Sequence, residues 1–236
     1  MNILYTINSS KRGGAEKHVL DLIVGMSFRG HKVFVACPEG ELVTEYKRCG
    51  AQSVYVCSIK FDIDPFYIYR LVRILKENSI DIVHAHELKA VVNTLLAAQL
   101  AGTKAKISHS HTPISEWQIS GLKKFLNINL FYTPTVNYLS SAEIALTESR
   151  KRVKIAEGIK EQKLRIIPNG LNVEEFNLDP IITSKNKGLI RQRFKISDDA
   201  FVFGYLGRIS EEKGLNTLLE AFKGLTHRIK NFSNGN

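Results

Sequence analysis

Short β-branched runs alternate with longer amphipathic stretches from residue 2 to about residue 167, and this alternation leaves the chain few architectures. A strand, a helix and a second strand of this kind pack as a βαβ unit, and repetition of the unit builds a parallel sheet with helices on its faces. Strands are expected at 3–7, 32–37, 53–56, 81–86, 106–111, 137–140 and 164–167. Helices fill the intervals, most clearly at 15–28, where Val19, Leu22, Ile23 and Met26 share a face, and at 65–76, with Ile68, Leu71, Val72 and Leu75. The expected fold class is α/β, a Rossmann-like parallel sheet flanked by helices.

Past residue 167 the character changes. A PNG turn, an acidic EEF and the polar DPIITSKNKG precede a short amphipathic LIRQRF, which together read as an interdomain connection. FVFGYLG at 201–207 then reads as a buried strand with a tight turn, followed by a helix at 215–225. The chain ends at residue 236 before another apolar run fit to be a strand. The expected division is a Rossmann-like domain at 1–170, a connector at 171–199, and at 200–236 the first strand and helix of an incomplete, C-terminally truncated second Rossmann-like domain.

Composition narrows the partners. The 33 Lys and Arg against 23 Asp and Glu give a net charge of +10, which favours anions such as nucleotide diphosphates or lipid head groups. No DNA-reading helix or RNA-binding sheet signature is present, so nucleic acid is not an expected partner. Cys37, Cys49 and Cys57 form no CxxC pair and are odd in number, which argues against a disulfide framework or a zinc–cysteine site. MNILYTIN enters a strand directly, without a basic n-region, and no window approaches the roughly 18 apolar residues of a membrane span. A cytoplasmic location is expected. Peripheral contact at the inner face of the cell membrane is the alternative that the basic, aromatic stretch 121–138 and the cations Arg150, Lys151, Arg152 and Lys154 leave open, although a solvated helix face beside a core face is the favoured reading of them.

In an open parallel sheet ligands sit beyond the carboxyl ends of the strands, and four such ends carry unusual residues. After the first strand, NSSKRGGAEKH sets Gly13 and Gly14 at the head of a helix, where backbone amides favour an anion; an ordinary strand–helix turn is the competing reading. The fourth strand ends in His84, Ala85, His86 and Glu87, and the fifth in His109, Ser110, His111 and Thr112. Spacing of two puts each histidine pair on one face, and neighbouring strands would bring the pairs to one rim. Three readings stand: polar contacts to a sugar or acceptor, a histidine-rich metal site, or buried histidines with satisfied nitrogens. At the turn after FVFGYLG, Gly207 permits close backbone approach, while Arg208 and Lys213 either grip a diphosphate or pair with Glu211 and Glu212 at the surface.

The order GGAE, HAHE, HSHT, RIIPNGLN and GRISEEKG resembles glycosyltransferase family 4 over nearly the whole chain up to about Leu225. The resemblance implies a GT-B architecture of two Rossmann-like domains facing across a cleft. It also implies a hexosyltransferase-type enzyme that moves a sugar from a nucleotide-sugar to a glycan or lipid-linked acceptor, with retention at the anomeric carbon. Capsular or extracellular polysaccharide synthesis is the implied setting, with no cofactor and no catalytic metal. Residue by residue, Gly13 and Gly14 would approach the donor diphosphate. Glu16, His86 and Glu87 would lie on the acceptor side, His111 would be the donor-side catalytic histidine, and Arg208 and Lys213 would stabilise the leaving diphosphate. His109 has no counterpart in this scheme. Against an active enzyme stand two alternatives: a truncated or frameshifted, catalytically inactive fragment acting at most as a binding module, and a metal-dependent enzyme built on the four histidines.

Overall fold

The computed structural model describes residues 1–177, 179–207, 209 and 211–233, and the chain divides into two compact units, Met1–Leu171 and Asn172–Asn236. In the first unit seven parallel strands run β1 (Asn2–Ile7), β2 (Lys32–Cys37), β3 (Ser53–Val56), β4 (Ile82–His86), β5 (Ala105–His109), β6 (Ala142–Ala145) and β7 (Leu164–Ile166). Their spatial order is β3-β2-β1-β4-β5-β6-β7, so the winding reverses between β1 and β4. In a doubly wound sheet that reversal opens the crevice where ligands bind.

The faces are set by alternation along the strands. Ile3, Tyr5 and Ile7 of β1 with Val33, Val35 and Cys37 of β2 pack on Val19, Leu20 and Ile23 of α1 (Gly14–Phe28) and on Leu42 and Tyr46 of α2 (Leu42–Arg48). The intervening Leu4, Phe34 and Ala36 face the other way. They meet Leu71, Ile74 and Leu75 of α3 (Pro65–Glu77) and Ala97 and Ala98 of α4 (Leu88–Ala101). A third cluster joins Ala85 and α4 to Tyr132 and Val136 of α6 (Tyr132–Leu139), which follows α5 (Gly121–Asn129), and to Ile159 and Leu164.

Local chemistry fixes the ends. Asp64 caps α3, its Oδ1 accepting from the Phe66 and Tyr67 amides and its Oδ2 from Lys60, while Pro65 supplies a preset first helical residue. Gly102 closes α4 in the left-handed conformation at φ 75°.

Four expectations need correction. Residues 137–140 are not a strand: they end α6, because Tyr132, Thr133 and Val136 at helical spacing are all buried, and the Ser140 hydroxyl donates back to the Val136 carbonyl. The strand lies just beyond, at Ala142–Ala145, where it pairs with β5 and β7. β5 stops at His109, and the chain turns at Ser110, whose hydroxyl donates to the Thr112 carbonyl. In the second unit the polar 180–188 is helical and opens α8 (Pro180–Phe194), started by an Asp179 cap that accepts from the Ile181 amide. Residues 201–206 form no strand, since a strand needs a hydrogen-bonded neighbour and none pairs with it among the described residues. After a short helical turn at Glu211–Lys213, α9 (Leu215–Ser233) runs further than the expected end at 225. Among the described residues no helix is long and apolar enough to cross a membrane.

Candidate functional site

The first unit gathers five histidines at the crevice between β1, β4 and β5. His84 and His86 stack with ring centroids 4.3 Å apart, as do His109 and His111 at 4.1 Å. The parallel register sets His86 opposite His109, with centroids 5.2 Å apart, so the two pairs meet at one rim as their spacing requires. From the other side of the winding reversal, His18 of α1 turns its ring edge toward His86, His109 and His111 at 5.9, 5.1 and 5.3 Å. His18 carried no role in the sequence reading. Its signal was its place on the first turns of the helix that the glycines open, four residues after Gly14.

Burial decides the charge of this cluster. His84, His86 and His109 are 6%, 0% and 1% exposed, while His18 and His111 are half-buried. Desolvation disfavours the imidazolium, and each further ring would repel a second positive charge. Burial thus draws His84 down to about 3 and His111 down to about 4, and pushes His86, His109 and His18 below the ordinary histidine value. Near neutral pH the rings are uncharged and can donate or accept single hydrogen bonds. One such bond joins His86 Nδ1 to His111 Nε2 at 3.2 Å. The nitrogens His84 Nε2, His86 Nε2, His109 Nδ1 and His109 Nε2 are buried without a protein partner.

Two acidic groups flank the rim. Glu16, buried in the first turn of α1, and Glu87, which precedes α4 in a left-handed backbone at φ 71°, are close enough to interact. A side chain bears strain in that conformation, and such strain is common at functional sites. Burial first, then the Glu16 charge, lifts the Glu87 carboxyl to about 7. Gly13 itself is extended at φ −161° and caps α1 without a side chain, and the Glu16 carboxylate lies against it, its Oε2 2.4 Å from where a Cβ would stand.

Beneath His109 and His111 lies an ion pair that the sequence did not disclose. Lys154 of α7 (Glu148–Ala156), 1% exposed, pairs with Glu143 of β6, 0% exposed, and the Tyr132 hydroxyl donates to Glu143 Oε1 at 3.0 Å. Lys154 had been counted with the surface cations of 150–154. It lies inward instead, and its charge helps to keep both histidines neutral.

The structure therefore brings Gly13, Gly14, Glu16, His86, Glu87 and His111 to one rim of one unit. Lys213 belongs to the second unit, where it is exposed in the turn before α9, and Arg208 lies outside the described residues.

Comparison with known proteins adds the following. A family model described as Glycosyltransferase Family 4 matches residues 12–175. The chain is 31% identical over 137 residues to the capsular polysaccharide biosynthesis glycosyltransferase CapM of Staphylococcus aureus, covering 53% of this chain and 34% of that protein. It is 26% identical to the UDP-Gal:alpha-D-GlcNAc-diphosphoundecaprenol alpha-1,3-galactosyltransferase of Escherichia coli, over 79% of this chain and 48% of that one. Among solved structures, HepE of Anabaena in complex with UDP-glucose superimposes with a TM-score of 0.75 at 24% identity, over 94% of this chain and 57% of its own. The chain thus spans less than two thirds of the length of each of these proteins.

Proposed function

The chain belongs to glycosyltransferase family 4, and from that premise we propose that its first unit is the acceptor-side half of a retaining glycosyltransferase acting in capsular or extracellular polysaccharide synthesis. The observation that carries this reading is the meeting of His86, His111 and the glycine-headed N-terminus of α1 at the winding reversal between β1 and β4. The donor is a nucleotide-sugar, with a UDP-hexose favoured by the UDP-glucose bound to HepE and the UDP-galactose used by the E. coli relative. The acceptor is a glycan or a polyprenyl-diphosphate-linked sugar, in line with the name of that relative. A lipid-linked acceptor would bring the protein to the inner face of the membrane as a peripheral visitor.

Each residue has a role set by its chemistry. Departure of the diphosphate builds negative charge on the leaving oxygens and positive charge on the sugar ring. Gly13 and Gly14 let the α1 amides approach the diphosphate, and Arg208 and Lys213 meet its charge, supplying what a metal would otherwise give. His111 stands on the sugar side. Because burial keeps it neutral, it can hydrogen-bond a sugar hydroxyl without repelling the cationic ring. His86 holds His111 through the 3.2 Å bond, and Glu16 with Glu87 offers acceptors to the incoming hydroxyl groups.

The stereochemical part is tested by proton NMR of the newly made linkage. The anomeric configuration of the donor sugar is expected in the product. Inversion would remove the retaining mechanism while leaving family membership untouched.

A further inference from the structure

Two of the clustered histidines, His84 and His109, have no part in sugar transfer as set out above, yet they are among the most buried polar groups of the protein. With His86 they form a set in which one ring nitrogen from each lies within 4.8 Å of the others. Four of their nitrogens are buried without a protein partner, a condition that costs about 1–3 kcal/mol for each polar group left so. We infer that His84, His86 and His109 form a binding site for a divalent transition metal ion of the zinc class, held between the ends of β4 and β5.

Three features of the site point the same way. The donor set is three imidazoles, which suits zinc, cobalt, nickel or copper and does not suit magnesium or calcium, whose ligands are oxygens. The backbone supports it: two ligands alternate on one strand, and the third is the register partner of His86 on the next, so all three rings emerge on one face of a rigid sheet. A supporting contact also exists. Histidine ligands usually donate their second ring N–H to a neighbour, which fixes the tautomer. With the metal on His86 Nε2, the proton sits on Nδ1 and is donated to His111 Nε2, 3.2 Å away.

Zn–N bonds of about 2.0–2.1 Å place ligand nitrogens about 3.3 Å apart, so nitrogens now within 4.8 Å of one another close by up to about 1.5 Å on binding and the stacked rings turn to aim them at one point, with a fourth position left for water. The site is not asked to carry out the transfer step. Its consequence for that step is indirect: a bound ion commits His111 to the tautomer with its proton on Nδ1.

The test uses the tag-free chain, stripped of metal and titrated with Co2+ and then with Zn2+. One Co2+ per chain is expected, with the intense visible absorption of a four-coordinate site, displaced by one equivalent of Zn2+ and unaffected by excess Mg2+. His84→Gln and His109→Gln should each weaken binding at least 10- to 100-fold, the range known for disturbed metal sites, while His31→Gln, outside the cluster, binds as before. Circular dichroism confirms that the variants fold. Should they not, long-range proton–nitrogen spectra of the wild type decide, because among the seven histidine rings Zn2+ must shift His84, His86 and His109, with His111 following through its bond to His86. No cobalt absorption at millimolar Co2+, or absorption that persists in the folded double variant His84→Gln/His109→Gln, overturns the proposal. None of these readouts depends on sugar transfer, so the metal site and the glycosyltransferase reading fail separately.

Discussion

His86 Nδ1 and His111 Nε2 lie 3.2 Å apart, joining the last residue of β4 to the loop that follows β5. The bond makes the tautomer of one ring depend on the other, since only one of the two facing nitrogens can carry the proton. It also anchors the loop residue His111 to His86, which is fully buried at the end of a central strand. His86→Phe keeps the ring volume and deletes the bond. It is expected to lower kcat/KM about 10- to 100-fold, the cost of one orienting hydrogen bond at a reacting group, without loss of the cooperative unfolding transition. Steady-state kinetics with both substrates varied checks this, and unchanged constants would remove His86 from the site.

Lys213→Ala is expected to reduce kcat/KM for sugar transfer about 100- to 1,000-fold, the effect of removing one preorganised charge donor from a developing anion. The side chain is exposed, so the melting temperature should stay within a degree or so of wild type. Lys213→Arg should recover part of the loss, because a cation is restored. A loss of stability matching the loss of rate would reassign Lys213 to a structural role.

Lys154→Met should destabilise the first unit by about 3–5 kcal/mol, because it leaves the fully buried Glu143 carboxyl without its ion-pair partner. The double variant Lys154→Met/Glu143→Gln should recover much of that. It removes the orphaned charge yet keeps an acceptor for the Tyr132 hydroxyl. Urea unfolding of the two variants measures the difference. Equal stability would show that the pair is not coupled.

Asp64 supplies a pH-dependent part of the stability. Burial alone would raise its carboxyl, but the amides of Lys60, Tyr67, Phe66 and Phe61 outweigh that and hold it below the ordinary value. A carboxyl depressed in the folded state contributes fully above its unfolded pKa of about 4, and the contribution is lost as pH falls through the folded value. Asp64→Ala should therefore cost about 1–2 kcal/mol at pH 7 through the lost cap, and the gap to wild type should narrow below about pH 4. A gap that is constant from pH 7 to pH 3 would contradict the assignment.

The β-branched runs and their spacing made most of the sheet readable. Lys32–Cys37 and Ser53–Val56 need no adjustment, since both runs are rich in β-formers and pair in parallel with a neighbouring strand. Legibility failed where a local signal had two uses. Residues 137–145 hold two apolar runs, and only the packing of Tyr132 and Val136 decides that the first is helical. The Asp179–Pro180 pair that starts α8 was read as loop chemistry although the same pair caps a helix, as Asp64–Pro65 does before α3. In the site, the convergence of the two histidine pairs followed from period-two spacing and strand adjacency. His18 and the Glu143–Lys154–Tyr132 network could not be found that way, because their partners are distant in sequence and meet only when helices dock on the sheet.

The most direct test of the account is sugar transfer by His111→Ala against wild type, using radiolabelled UDP-glucose and UDP-galactose with a polyprenyl-diphosphate-linked sugar as acceptor. Transfer of one of them by the wild type, as the proposed function requires, is the reference. The variant is expected to lose at least 100-fold in kcat, about 2.7 kcal/mol of transition-state stabilisation, with UDP binding and melting temperature unchanged. Transfer by His111→Ala at the wild-type rate would contradict the placement of the chemistry at the β1–β4 rim.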